Sequence, residues 1–315
     1  MAVEIITDKI AFAIDSVHES AKEMPRHHLG ASMLGHPCDR WLWLSFRWGV
    51  AQEFEGRIRR LFRRGLNEEA TIISDLESIG VSVTDTQTKI DFGSHLGGSI
   101  DGIVSNLPDS KLKHVIEFKT HSLKSFNDVE AHGVKKSKPM HWAQMQAYMH
   151  GIGIHHALYF AVCKDDDRLH VERVQYDHQS AIKLIERGKR IATADRMPEP
   201  LSADPTWYEC KFCAAHEFCH KTKLTKEVNC RTCAHSTANE SGVWECAKFE
   251  SEIPIDFQTQ GCSSHVLHPD LVPWPLNGSD AEGWRAIYIV NGRQVKNGEP
   301  GPGVVSSEQL IKDFA

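Results

Sequence analysis

Gly97-Gly98-Ser99-Ile100-Asp101-Gly102-Ile103-Val104 and, after a polar turn, His114-Val115-Ile116-Glu117-Phe118-Lys119-Thr120 are the stretches that decide the fold. Both runs are short and rich in β-branched residues. Asn106-Leu107-Pro108-Asp109-Ser110 separates them, which predicts strand, turn, strand. With the turn centred near Asp109, antiparallel pairing sets Asp101 roughly opposite Glu117. Side chains alternate along a strand, so Glu117 and Lys119 share one face while Ile116 and Phe118 bury the other. Carboxylates packed this closely repel unless a cation sits between them. An oxygen-only ligand set suits Mg²⁺ or Mn²⁺ better than Zn²⁺. Read alone, the same pattern also describes two solvated charges on an edge strand.

The flanking segments have helical period. From 56 to 79, Ile58, Phe62, Leu66, Ile73 and Leu76 form one stripe, which predicts a helix with that face buried. Glu69 falls within the stripe, and Gly65 leaves room beside it. A carboxylate facing a core is costly unless it is paired or bound to metal. A second helix is expected from Pro139 to about Gly151. Gln144 and Tyr148 share one of its faces. They suit either structural hydrogen bonding or the orientation of a phosphate or a metal-bound water. Trp142, Met145 and Met149 read as core.

In order, Gly65-x-x-x-Glu69, Asp101, Glu117-x-Lys119 and Gln144-x-x-x-Tyr148 resemble the motifs of the PD-(D/E)XK nucleases. Ala143-Gln144-Met145-Gln146 is similar to the helix after the core in the RecB and lambda-exonuclease branch. The likeness covers roughly residues 30 to 220. Glu69 stands where lambda-type exonucleases carry Glu and many RecB-type members carry His. The resemblance implies an α/β, restriction-endonuclease-like core and a metal-dependent DNA nuclease, exonuclease rather than site-specific endonuclease. Asp101 and Glu117 would ligate Mg²⁺ or Mn²⁺, and Glu69 would add a direct or water-mediated contact. Lys119 would help deprotonate the attacking water or stabilise transition-state charge. Gln144 and Tyr148 would position the phosphate. DNA is the implied partner, together with a single-strand annealing protein for lambda-type relatives or a helicase for AddB-type ones. The implied setting is recombination, repair or phage DNA processing.

Nine cysteines are a second signal. The amino terminus lacks a basic start and an apolar run, and no stretch approaches the length of a membrane span. The expected location is the cytoplasm, or the host cytoplasm for a phage-encoded chain. There, clustered cysteines suggest metal rather than disulfides. Cys210, Cys213 and Cys219 supply three thiolates, and Cys38, at the start of an apolar helix and near Arg40, is a candidate fourth. This set resembles the iron–sulfur staple of AddB-type and CRISPR-adaptation RecB-like nucleases, which implies a [4Fe–4S] cluster. Zn²⁺ completed by His216 or His220 is the alternative. Cys230, Cys233, Cys246 and Cys262 look like an irregular zinc ribbon, with His235, His265 and His268 as substitute ligands. That stretch has few apolar residues, so a metal is expected to stabilise it. Cys163 reads as a buried strand residue.

At 315 residues with net charge −6 the chain can bury one large core plus an appendage, and it is not a globally basic DNA binder. Arg57, Arg59, Arg60, Arg63 and Arg64 flank the Glu69 helix and suit either a phosphate track or a solvated face. Lys135, Lys136 and Lys138 form a second basic spot. His121 is expected at the surface. The expected segments are an N-terminal helix within residues 1–29, a nuclease core at 30–222, a cysteine-rich module at 223–270 and an extension at 271–315. Within them, residues 6–22 read as an amphipathic helix, 157–163 and 168–176 as a strand pair, 180–196 as a covering helix, and 286–290 with 293–296 as a hairpin turned by Asn291-Gly292. Two readings from other classes stand beside the nuclease: a non-catalytic nucleic-acid-binding or scaffold protein of the same fold, and a zinc-module adaptor. Neither needs Glu69, Asp101, Glu117 and Lys119 together.

Overall fold

The structure is a computed structural model that describes residues 9–21, 24–280 and 282–314. The ends of the expected 6–22 helix therefore lie outside the described residues, which hold α1 at Lys9–Ser20. The chain forms two interleaved units. Of the described residues, one unit takes those from 9 to 25, 53–90 and 99–178; the other takes 26–52, 91–98 and those from 179 to 314.

The first unit is built on five strands in spatial sequence order: β1 (Ser82–Thr84), β2 (Gly102–Ser105), β3 (His114–His121), β4 (His156–Cys163) and β5 (Leu169–Gln175). All neighbours are antiparallel except β3 and β4, which run parallel. A parallel pair needs a crossover. It is made by two helices, Leu123–Ser137 and Pro139–Ile152, which pack back on β3 and β4. The second ends at Gly153 in the left-handed conformation, two residues past the expected stop. The helix Gly56–Ser78 covers the opposite face. There Ile72 and Leu76 join Val104, Ile116, Phe118, Leu158 and Phe160 in one core, as the alternation of β3 requires. Its amino-terminal half departs from expectation. Phe62 is 50% and Leu66 63% exposed, and Ile72, outside the predicted stripe, is buried. The sheet meets only the last turns of this long helix.

In the second unit the helix Asp39–Phe46 begins at Cys38, whose Sγ accepts the Trp41 N–H at 3.4 Å. Arg187, on the helix His178–Ala192, holds this start through Asp39 Oδ1 and the carbonyls of Leu34 and His36. Gly188 lies beside it, where a Cβ would stand 2.6 Å from Leu34 Cδ2 and force that side chain to shift. The predicted hairpin is present as Arg285–Val290 and Arg293–Asn297, turned by Asn291 and Gly292 at positive φ. Its Tyr288 and Val290 share one core with Leu224, Val266, Leu267 and Leu310. The apolar surface that residues 223–270 lack is thus supplied by the segment that follows them. None of the described helices is long and apolar enough to cross a membrane.

Arg231 lies inside the Cys230–Cys233 spacing and is 1% exposed. Its guanidinium stacks on Trp48 at 3.7 Å and donates to Gln258 Oε1, Phe46 O and His27 O. Arg231→Ala leaves those acceptors, two of them buried, without their donor. A loss of about 3 kcal/mol or more is expected, read as a lower urea midpoint.

Candidate active site

The antiparallel register pairs Gly102 with Ile116, which carries Asp101 opposite Glu117 as the sequence predicts. Asp101 Oδ2 accepts the Phe118 N–H at 2.9 Å, pinning the carboxylate to β3. Glu117 is fully buried, not solvated on an edge, because β3 is a central strand with helices over this face. Its Oε1 pairs with Lys119 Nζ, and its Oε2 accepts from Gln144 Nε2 at 3.0 Å. Gln144 thus holds a carboxylate here, the structural hydrogen bond that its place on the helix allowed. Lys119 Nζ also donates to Phe118 O at 3.0 Å. Glu69 is half-buried on its helix, and Tyr148 is buried one turn beyond Gln144.

Charge is out of balance in this pocket. Burial pushes Glu117 up to about 7; the Lys119 charge opposes this, and Asp101 and Glu69 add to it. Burial, then Asp101, pushes Glu69 up to about 7. Asp101 is raised by burial, against the pull of Lys119. Burial would lower Lys119, but Glu117, Asp101 and Glu69 outweigh it and hold the ammonium above its ordinary range. Three carboxylates face one ammonium, an arrangement that favours a further cation. Among the described residues no group of three or more His, Cys, Asp or Glu is arranged to hold a metal ion. At this pocket the ammonium and the Gln144 amide take both Glu117 oxygens.

His121 departs from its expected place at the surface. It is 6% exposed on the Glu117–Lys119 face of β3, bonded to Tyr159 and Ser125. The period-two alternation through 117, 119 and 121 carried that signal. Its partners, on β4 and the first crossover helix, were not legible from local pattern.

Cys38, Cys210, Cys213 and Cys219 line one cavity with His36, His216 and His220. Burial raises Cys210, Cys213 and Cys219, and repulsion from the other sulfurs of the set adds to it. Cys230, Cys233, Cys246 and Cys262 line a second cavity with His235 and His265. His268 lies elsewhere: its Nε2 bonds the Asp195 carbonyl, and its ring packs on Trp43. Cys163 is buried on β4 as expected. Among the helix arginines, Arg60 pairs with Asp15 at 2.8 Å and Arg64 donates to the Lys164 carbonyl, whereas Arg57 and Arg63 are exposed. Lys138 pairs with Asp128 at 3.2 Å.

No curated protein matches the chain. Among solved structures, LHK-Exo in complex with dAMP, an alkaline exonuclease from Laribacter hongkongensis, aligns at 19% identity over 53% of this chain and 87% of its own, with a TM-score of 0.39. The structure of SSO0001 aligns at 17% identity over 66% of this chain and 93% of its own, with a TM-score of 0.39. A phage-related exonuclease from Haemophilus somnus 129PT aligns at 19% identity over 41% and 68%, with a TM-score of 0.31. A profile of the PD-(D/E)XK nuclease superfamily matches residues 15–220, the span that carries Glu69, Asp101, Glu117, Lys119 and Gln144. That match covers more than half of the chain, which therefore belongs to the PD-(D/E)XK nuclease superfamily.

Proposed function

We propose that the chain is a divalent-metal-dependent deoxyribonuclease that degrades DNA from an end. The observation that carries this reading is the convergence of Asp101, Glu117 and Glu69 on one ammonium, with their charge left in excess. Asp101, Glu117 and Glu69 would hold Mg²⁺ or Mn²⁺, and the ion, when bound, would lower the pKa of a water and neutralise phosphate charge. Lys119 keeps its proton at Nζ and offers positive charge where negative charge builds. Gln144 orients Glu117, and Tyr148 supports the same helix toward the substrate phosphate. Exposed Arg57 and Arg63 lie on the Glu69 helix and suit the DNA backbone. Purified protein should digest linear duplex DNA with Mg²⁺ or Mn²⁺ and spare closed circles. Cutting of circles would point to an endonuclease. Binding without any cutting would favour the scaffold reading.

The same reading extends to the cysteines. Cys38, Cys210, Cys213 and Cys219 share a cavity in which their sulfurs repel one another, which suits a [4Fe–4S] cluster and, as the alternative, Zn²⁺. Cys230, Cys233, Cys246 and Cys262 suit Zn²⁺. Protein purified without oxygen should be brown, with broad absorbance near ~400 nm, and should carry one zinc per chain. A colourless protein with two zincs and no iron would assign zinc to both sets.

A further inference from the structure

A chain of hydrogen bonds beside the carboxylates has no part in the chemistry above. Ser125 Oγ lies 3.1 Å from His121 Nδ1, and His121 Nε2 lies 2.7 Å from Tyr159 Oη. The same hydroxyl lies 2.9 Å from His141 Nδ1. The rings stack: His141 meets Tyr159 at 29° and His121 at 25°. His121 and Tyr159 are buried, while His141 keeps part of its surface. His141 stands one turn before Gln144, on the helix face that reaches Glu117. Burial, then the Lys119 charge, pushes His141 down to about 3. Burial, then the charges of Lys138, Lys119 and Lys164, pushes His121 down to about 4. Both rings are neutral near pH 7, so each carries a single N–H.

Counting protons leaves two arrangements. Tyr159 Oη stands between two ring nitrogens, and its single proton is used within the chain only where it donates to one ring and accepts from the other. In the first arrangement Ser125 donates to His121 Nδ1, His121 Nε2–H donates to Tyr159, and Tyr159 donates to His141 Nδ1. His141 then carries its proton on Nε2, which no hydrogen bond holds among the described residues. In the reverse arrangement His141 Nε2 is a bare acceptor. Phosphate oxygens only accept, so a bound nucleic acid selects the first.

We propose that His141 contacts the substrate, donating its Nε2–H to a non-bridging phosphate oxygen, and that Ser125, His121 and Tyr159 are positioning residues that fix its tautomer. The identity of the substrate rests on the nuclease reading. A neutral donor here adds a directed hydrogen bond beside Lys119 without adding charge to it.

Gln places an amide near the Nε2 position of His, and Asn places one near Nδ1. Anisotropy with a fluorescein-labelled DNA duplex in EDTA would compare wild type with His141→Gln, His141→Asn and Tyr159→Phe, each checked for folding by thermal melting. His141→Gln should bind within about twofold of wild type, and His141→Asn about tenfold more weakly. Tyr159→Phe keeps its ring but frees the tautomer, and should lie between them. Equal affinity in all variants, or His141→Asn binding better than His141→Gln, would overturn the contact and leave a structural histidine. Cleavage in Mg²⁺ is read separately. A wild type that binds but does not cut sinks the catalytic reading and leaves the contact standing. A wild type that neither binds nor cuts sinks both.

Discussion

Lys119→Ala should lower the rate of DNA cleavage by about 10³-fold, or roughly 4 kcal/mol of transition-state stabilisation. DNA affinity should change little, since on the proposed reading a single charge is lost among many phosphate contacts. Lys119 Nζ pairs with Glu117 Oε1 and bonds the Phe118 carbonyl, so its position is set by the strand that carries it. Its removal leaves the fully buried Glu117 without the ammonium it pairs with. Glu117 then holds a proton to higher pH, and any divalent ion must compete with that proton. The loss of rate should therefore be greatest at low pH and partly recover as pH rises. Full activity in this variant, measured by single-turnover digestion, would remove Lys119 from the chemistry.

Glu117→Gln should move function and stability in opposite directions. Cleavage should fall at least ~10²-fold, because a neutral amide is a poor ligand for a hard cation. Stability without metal should rise at pH 8. The folded-state pKa of Glu117 is raised from 4.5 to about 7. A raised carboxylate pKa means that the folded state resists ionisation. The penalty is absent below about pH 4.5 and grows to its full size above about pH 7. Its upper size is about 3 kcal/mol. The attraction of Lys119 already counts toward that pKa, so the penalty is what burial and the neighbouring carboxylates leave after the pair has formed. In EDTA, the melting temperature of Glu117→Gln relative to wild type should be unchanged at pH 5 and higher at pH 8. Added Mg²⁺ should raise wild type at pH 8 and leave the variant unmoved. A difference that stays flat with pH would refute the buried-charge account.

Much of the pocket was legible because it rests on periodicity. Alternation along β3 set Ile116 and Phe118 against the core and Glu117 with Lys119 on the other face. The polar turn set the register that faces Asp101 with Glu117. The 3.6-residue period brought Glu69 close enough to be felt by Asp101 and Lys119. Cys38 was read as the start of a helix and caps one. The same reasoning misjudged Phe62 and Leu66, since an apolar stripe shows which side of a helix could be buried but not how far its neighbours extend.

By itself, then, the sequence determined local geometry and order: which residues form strands and helices, which side chains share a face, and where the acidic and cysteine motifs fall. Tertiary structure decided what covers each face. Helices over β3 turn Glu117 from a solvated charge into a buried one and raise its pKa. They also bring Ser125 and His141 to His121 and Tyr159, and a C-terminal hairpin completes the core of the cysteine-rich stretch. Dielectric surroundings and hydrogen-bond partners come from residues distant in the chain. A local period cannot encode them, because it specifies direction and not what lies in that direction.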